Sequence, residues 1–237
     1  MPVARVSAHS GARNPVRTAA RTRAMLPEEK SERRAAILRA ASVLLEHAPQ
    51  GAFSVDALAR SAGVAKGTVY LYFATREEVL LAVHAARQQK LFDALDKALS
   101  ARRTDIRLIT RTVTRFVCAH PEFLPLAANC RGMLETNISA DAALAYRRAI
   151  SERLVELGSR FEALFPALGK GQGVSLLMAS YALMLGLWQI SGTPECMVEA
   201  MQGPELRIFR FDFEKQLGAA LVNLWEGATL RRHGSRK

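Results

Sequence analysis

Cysteine is scarce in this chain of 237 residues: Cys118, Cys130 and Cys196 are odd in number and widely spaced. That excludes a disulfide scaffold and makes a reducing, cytoplasmic compartment the expectation. No apolar run of a secretory signal stands near Met1, and the Arg-rich, acid-free opening matches the composition of a transit peptide as well as that of a DNA-binding arm. Catalytic signatures are missing too, with no His-Glu-x-x-His, Cys-x-x-Cys or nucleophile-elbow pattern. Gly169-Lys170-Gly171-Gln172-Gly173 lacks the preceding strand, the third-glycine spacing and the Lys-Ser/Thr ending of a phosphate loop, and reads as an interhelical loop. Cys118, His120 and Glu122 lie close in sequence, but side chains two apart on a helix face different ways and Pro121 intervenes. A core cysteine and a helix-end histidine explain them better than a metal or thiolate site. No catalytic residue, metal ligand or cofactor is therefore expected. β-Hairpin signals, internal repeats and heptad runs are also absent, leaving an all-α reading.

Acidic residues are missing from both ends. Residues 1–27 hold five arginines and no acid, residues 231–237 hold four basic residues and no acid, and residues 28–76 carry seven basic against five acidic side chains. Residues 77–230 balance at seventeen of each, so the net charge of +11 lies wholly in two tails and one N-terminal segment. This is the footprint of a polyanion binder, although basic tails also serve solubility alone. Residues 1–26 have too few large apolar side chains to fold alone and read as a flexible arm.

What is present begins with a helix opened by Pro27-Glu28-Glu29, whose stripe of Ile37, Leu38, Ala41, Leu44 and Leu45 ends near His47. Ser54 then caps a second helix with Asp56 in its first turn and Val55, Leu58, Ala59 and Ala62 at helical spacing. Gly63 suits a sharp turn, and Val64, Val69 and Phe73 form the apolar side of a third helix. Its outer face carries Lys66, Thr68, Tyr70 and Tyr72 beside Gly67, groups suited to phosphates and base edges. Residues 54–73 thus read as a helix-turn-helix or as a plain helical hairpin whose tyrosines cover a core. Thr75-Arg76-Glu77-Glu78 is a capping-box pattern opening a long helix. Val79, Leu80 and Val83 would pack beneath the preceding unit and Leu91, Phe92, Leu95 and Leu99 beyond it, which suits a transmission rod.

Residues 31–83 resemble the DNA-binding domain of the TetR family of bacterial transcriptional regulators. The likeness rests on Ala35-Ile37-Leu38-Ala40-Ala41, Phe53-Ser54-Val55, Leu58-Ala59, Ala62-Gly63-Val64, Lys66-Gly67-Thr68-Val69-Tyr70-Leu71-Tyr72-Phe73 and Glu77-Glu78-Val79-Leu80. It implies that Ser54 caps its helix against a phosphate, that Ala65, Lys66, Gly67 and Thr68 enter the major groove, and that Tyr70 and Tyr72 reach backbone or bases. Ala74 stands where many members have lysine and Leu71 where many have a polar or aromatic reader. Backbone affinity would then lean on Arg76 and the arginine arm, and Leu71 would meet a thymine methyl. Double-stranded DNA and a second copy of the chain are the implied partners, with a small-molecule effector.

Beyond Arg76 the pattern stays helical, over about 104–119, 122–131 and 140–164, with Arg107, Arg111 and Arg115 on a solvated face. Thr193-Pro194-Glu195 reads as the start of a short helix, and Phe213, Leu217, Ala220, Leu221 and Leu224 share one side of the last. From Gly171 to Pro194 there is no charge. Such a run fits a membrane span, the alternative to a soluble regulator, but Ser175, Ser180, Gln189 and Ser191 favour a helix buried between protein layers. By the resemblance, the last two long helices make a four-helix dimer interface, through Leu177, Tyr181, Leu185 and Trp188 with Phe213, Leu217, Leu221 and Leu224. The candidate pocket groups are Phe92, Phe116, Met133, Tyr181, Met184 and Trp188. The expected organisation is a basic arm over 1–26, a DNA-binding domain over 27–75, an effector and dimerisation domain over 76–230 and a basic tail over 231–237.

Overall fold

A computed structural model describes residues 27–48, 53–192, 203–209 and 212–230. Within them the chain is all-α, as expected: α1 Pro27–His47, α2 Val55–Ser61, α3 Lys66–Tyr72, α4 Arg76–Leu99, α5 Ile106–Ala119, α6 Phe123–Thr136, α7 Ala140–Leu164, α8 Gln172–Ser191 and α9 Phe213–Leu230. A 3₁₀ turn over Pro204–Phe209 precedes α9, so the partly alternating stretch from Leu206 to Glu214 is not helix throughout. The arm, the tail and the expected helix at Thr193 lie outside the described residues.

Two apolar cores form, and α4 belongs to both. Ile37, Leu45, Leu58, Val69 and Phe73 of α1 to α3 close around Val79, Leu80 and Val83 of α4. Leu91, Phe92 and Leu95, farther along the same helix, pack into the second core with Ile109, Leu157, Leu217, Leu221 and Trp225. Thr75 caps α4 by accepting from the Glu78 amide at 3.1 Å. The Glu78 carboxylate accepts from the Ala74 amide at 2.8 Å, one residue earlier than an ideal capping box places it.

Charged side chains tie α4 to its neighbours along its length. The Arg87 Nε donates to Glu122 Oε1 at 2.6 Å and its Nη2 to Glu46 Oε1 at 3.3 Å, joining the end of α1 to the turn between α5 and α6. The Glu122 side chain is 1% exposed, and its other oxygen has no partner among the described residues. Near the far end, Asp96 accepts from Arg153 at 2.6 Å and also from Arg160, both on α7.

His84 is fully buried on α4, stacked on Phe123 at 5.4 Å and sharing a 3.0 Å hydrogen bond with the Tyr146 hydroxyl. Burial lowers its pKa from the ordinary 6.5 to about 4. Its folded-state pKa is depressed, so the stability linked to neutral His84 is complete above pH 6.5 and drains away as pH falls toward 4. Unfolding in urea across that interval is expected to lose about 1.4 kcal/mol per pH unit, a slope that His84→Phe should flatten.

Where α7 and α8 cross, the backbones touch through Gly158 and Gly173. A Cβ on Gly173 would overlap the Gly158 carbonyl, and one on Gly158 would lie 2.7 Å from Val174 Cγ2. Gly173→Ala is expected to push α8 off α7 at a cost of about 1–3 kcal/mol, read from the urea midpoint.

Candidate nucleic-acid interface and effector cavity

The short helices α2 and α3 owe their relative placement to local chemistry. Ser54 Oγ accepts from the Ala57 amide at 3.1 Å, which satisfies a free donor at the start of α2. Gly63 has φ of +66°, the left-handed conformation that a residue with a side chain resists, and it turns the chain from α2 toward α3. Leu58, Ala59 and Val69 lock the pair from beneath. The opposite side of α3 faces outward, with Tyr70 at 47% and Leu71 at 79% exposure and Ala65, Lys66, Gly67 and Thr68 at its open N-terminal end. Tyr72 is half-buried against the N-terminal core, so it supports α3 more than it projects from it.

Lys66 does not stand alone. Its ammonium donates to Asp56 Oδ2 at 2.8 Å across the turn. That hydrogen bond holds the Asp56 carboxyl below its ordinary range and raises Lys66 above its own. Asp56, read from sequence only as a dipole-complementing residue, therefore also aims Lys66. No helical periodicity links two positions ten apart across a turn. Arg76 is engaged as well, donating to Glu77 at 3.2 Å and to the Phe53 carbonyl at 3.5 Å. It can meet a phosphate only by sharing or leaving those oxygens.

In the C-terminal half, α4, α6, α7 and α8 enclose a cavity of about 580 Å³. Phe92, Tyr181 and Met184 line it, as expected of a pocket. Phe116 does not: its ring is spent on His120 at 4.5 Å and on Phe123 at 5.6 Å. Trp188 packs half-buried against the core outside the cavity wall, and the side chain of Met133 lies outside the described residues. The sequence reading missed Gln88 and Trp225, both of which line the cavity. Trp225 sits one turn beyond Leu221 on the stripe already recognised, which was the available signal.

The outward faces of α8 and α9 differ from those expected. Leu217 and Leu221 are fully buried inside the protomer, and Leu177 is 8% exposed. Tyr181 and Leu185 line the cavity, and Trp188, Phe213 and Leu224 are half-buried against the core. The apolar stripe of each helix was already claimed by its own protomer, so these residues underlie any interface. The surfaces left open are Met178, Ala179, Ala182, Gly186 and Ile190 on α8 and Gln216, Ala219 and Asn223 on α9. Burial of α8 between protein layers is likewise corrected. The helix is long and apolar enough to pass for a membrane span, yet only 22% of its apolar stretch is buried.

The Cys118 thiol is exposed, and partial burial with the Glu214 and Asp212 carboxylates pushes its pKa up, the opposite of thiolate activation.

Comparison with known proteins bears on both halves. The family described as bacterial regulatory proteins, tetR family, matches residues 37–83, and the tetracyclin repressor-like C-terminal domain matches residues 85–232. The chain belongs to the TetR family. It is thus a transcriptional regulator with a helix-turn-helix DNA-binding domain. The TetR-family regulator EthR of Mycobacterium tuberculosis is 41% identical over 71 residues, 27% of this chain and 33% of EthR, so the match spans a third of that relative's length. The fold extends further. The fatty acid degradation regulator FadR from Bacillus halodurans superposes with a TM-score of 0.51 at 15% identity, covering 81% of this chain and 94% of FadR. A protein of unknown function from Rhodococcus sp. RHA1 gives 0.51 at 20% identity, covering 82% and 94%. At such identities the likeness carries the fold alone.

Proposed function

We propose that this TetR-family regulator is a homodimeric repressor that binds a palindromic operator through α3 and releases it when a small, largely apolar molecule enters the cavity. One observation carries the reading: α4 is both a wall of that cavity, through Gln88, Leu91, Phe92 and Leu95, and part of the core beneath the recognition helix, through Val79, Leu80 and Val83. A ligand that favours one placement of α4 favours one placement of α3, and two arrangements of unequal ligand affinity are all that a population shift requires.

In this reading Ala65, Lys66, Gly67 and Thr68 enter the major groove. Ser54 and Arg76 meet backbone phosphates, and Tyr70 and Leu71 reach the base edges. Tyr72 fixes the helix from behind. The dimer forms through the open faces of α8 and α9, which sets the two recognition helices about one helical turn, ~34 Å, apart.

Selection of bound duplexes from a random pool tests the reading. A palindromic site should emerge, with affinity that falls steeply as salt rises. Lys66→Ala should weaken binding to all sequences alike and reduce the salt slope by about one, while Tyr70→Ala should cost about 1–3 kcal/mol and relax preference at one position per half-site. Sequence-independent affinity would remove the specific-regulator reading. A reporter driven by the selected site should be silenced by the protein, and stimulation would reverse the sign of the regulation.

A further inference from the structure

Resting on the cavity's role as an effector site, we infer that its ligand is an amphipathic carboxylate, with the charged head at Arg147, Tyr181 and Gln88 and the apolar body lying along α4 toward Leu95. The first observation is one of charge. Arg147 is part of the cavity wall, and among the described residues no aspartate or glutamate lines the cavity and none makes an ion pair or hydrogen bond with Arg147. A cationic ligand would meet a guanidinium and no counter-charge. A fork of donors beside an apolar chamber suits a carboxylate.

The second observation is which polar groups are still free. Ser180 Oγ accepts from the Trp225 indole at 3.0 Å and donates to the Leu176 carbonyl at 2.8 Å, so it is spent. The Tyr146 hydroxyl is shared by His84 at 3.0 Å and by the Cys130 thiol at 3.4 Å. Two groups remain. The Tyr181 hydroxyl has no hydrogen-bond partner among the described residues. Gln88 is 8% exposed, and its Oε1 is buried without a partner. Turning the amide about its last bond exchanges that oxygen for an NH₂ donor. Gln88, Tyr181 and Arg147 can then each turn a donor toward the head, and a carboxylate is acceptor-only. An alcohol head would use part of this set and leave the guanidinium idle.

The third observation is direction. His84 meets Tyr146 and Asp96 meets Arg153, so α4 and α7 run in the same sense along the cavity. Gln88 on α4 and Arg147 on α7 fall at the end with His84 and Tyr146. Leu95 and Leu154 fall at the other, with the apolar walls of Leu177, since α8 runs back along α7 from the Gly158 and Gly173 contact, and of Trp225, which packs on Phe161. From Gln88 to Leu95 the helix advances roughly 10 Å, the length of a medium aliphatic chain. The head therefore sits beside the hydrogen bond between His84 and Tyr146, and Tyr146 packs against the N-terminal core.

Trp225 in the cavity wall gives a readout independent of DNA once Trp188→Phe removes the other tryptophan. In that protein decanoate should change the fluorescence saturably and bind about tenfold or more tightly than decanol, and decyltrimethylammonium should not bind. Arg147→Gln should reduce decanoate to the level of decanol and leave decanol unaffected, and Tyr181→Phe should weaken both. Equal affinity for decanoate and decanol, indifference to Arg147→Gln, or no binding by any of the three would overturn the assignment. Operator affinity, measured separately, keeps the two ideas apart. Decanoate that binds without changing it supports the ligand class and removes the effector reading. Release by decanol and not by decanoate supports an effector and overturns this ligand class.

Discussion

Arg87→Ala is expected to destabilise the folded protein by about 3–5 kcal/mol, because it leaves the Glu122 carboxylate, which is 1% exposed, with only the His120 ring 3.8 Å away, whose pKa burial lowers. The guanidinium is itself only 9% exposed on the side chain, so the pair is desolvated on both sides. Removing Glu46 is a different matter, since its side chain is 54% exposed; Glu46→Gln should cost less than about 1 kcal/mol. Urea unfolding separates the cases, and a double variant, Arg87→Met with Glu122→Leu, should recover most of the loss because no buried charge remains. An unchanged midpoint in Arg87→Ala would mean that Glu122 does not depend on that partner. The consequence for function follows from position. Arg87 joins α1, the start of the DNA-binding unit, to the turn before α6, a cavity wall. The double variant is therefore expected to fold stably and to show a weaker link between ligand and operator affinity than the parent.

The N-terminal half was legible because its determinants are local. The Ser54 cap, the Gly63 turn, the apolar backs of α2 and α3 and the Thr75 cap each follow from a few adjacent residues, and all stand where expected. The long-range chemistry was not. Arg87 and Glu122 are 35 positions apart and Arg87 and Glu46 are 41 apart, and no periodicity marks charges that meet only after folding. Neither does it mark the partnership of Lys66 with Asp56. In the C-terminal half, periodicity located the apolar stripes of α8 and α9 but not their owner. Leu217 and Leu221 read as interface, yet they are fully buried in their own protomer. A helix apolar on all sides carries no sequence signal that separates core, cavity wall and open face. Among the pocket candidates the same ambiguity placed Phe116 and Trp188 with Phe92, Tyr181 and Met184, although only the latter three line the cavity.

Ala182→Arg is expected to lower operator affinity by about 10²- to 10⁴-fold without lowering the protomer's own stability. Ala182 is exposed on α8, flanked along the same face by Met178 at 52% and Ile190 at 61% exposure. On an isolated protomer those apolar side chains stand in water, and the small residues Ala179, Ala182 and Gly186 between them allow another helix to approach closely. An arginine in the middle of that face must be desolvated on each side of a two-fold axis and would face its own symmetry mate. Two linked recognition helices bind a palindrome with an avidity far beyond one, so a variant held as a monomer forfeits the second half-site and the effective concentration that came with it. Sedimentation should show a dimer for the parent and a monomer for the variant, and fluorescence anisotropy on a labelled operator should show the loss. Ser151→Arg, on the exposed side of α7, should alter neither. A variant that stays dimeric with full affinity would move the interface away from α8, while a parent that is monomeric at concentrations saturating the operator would remove the dimer from the mechanism.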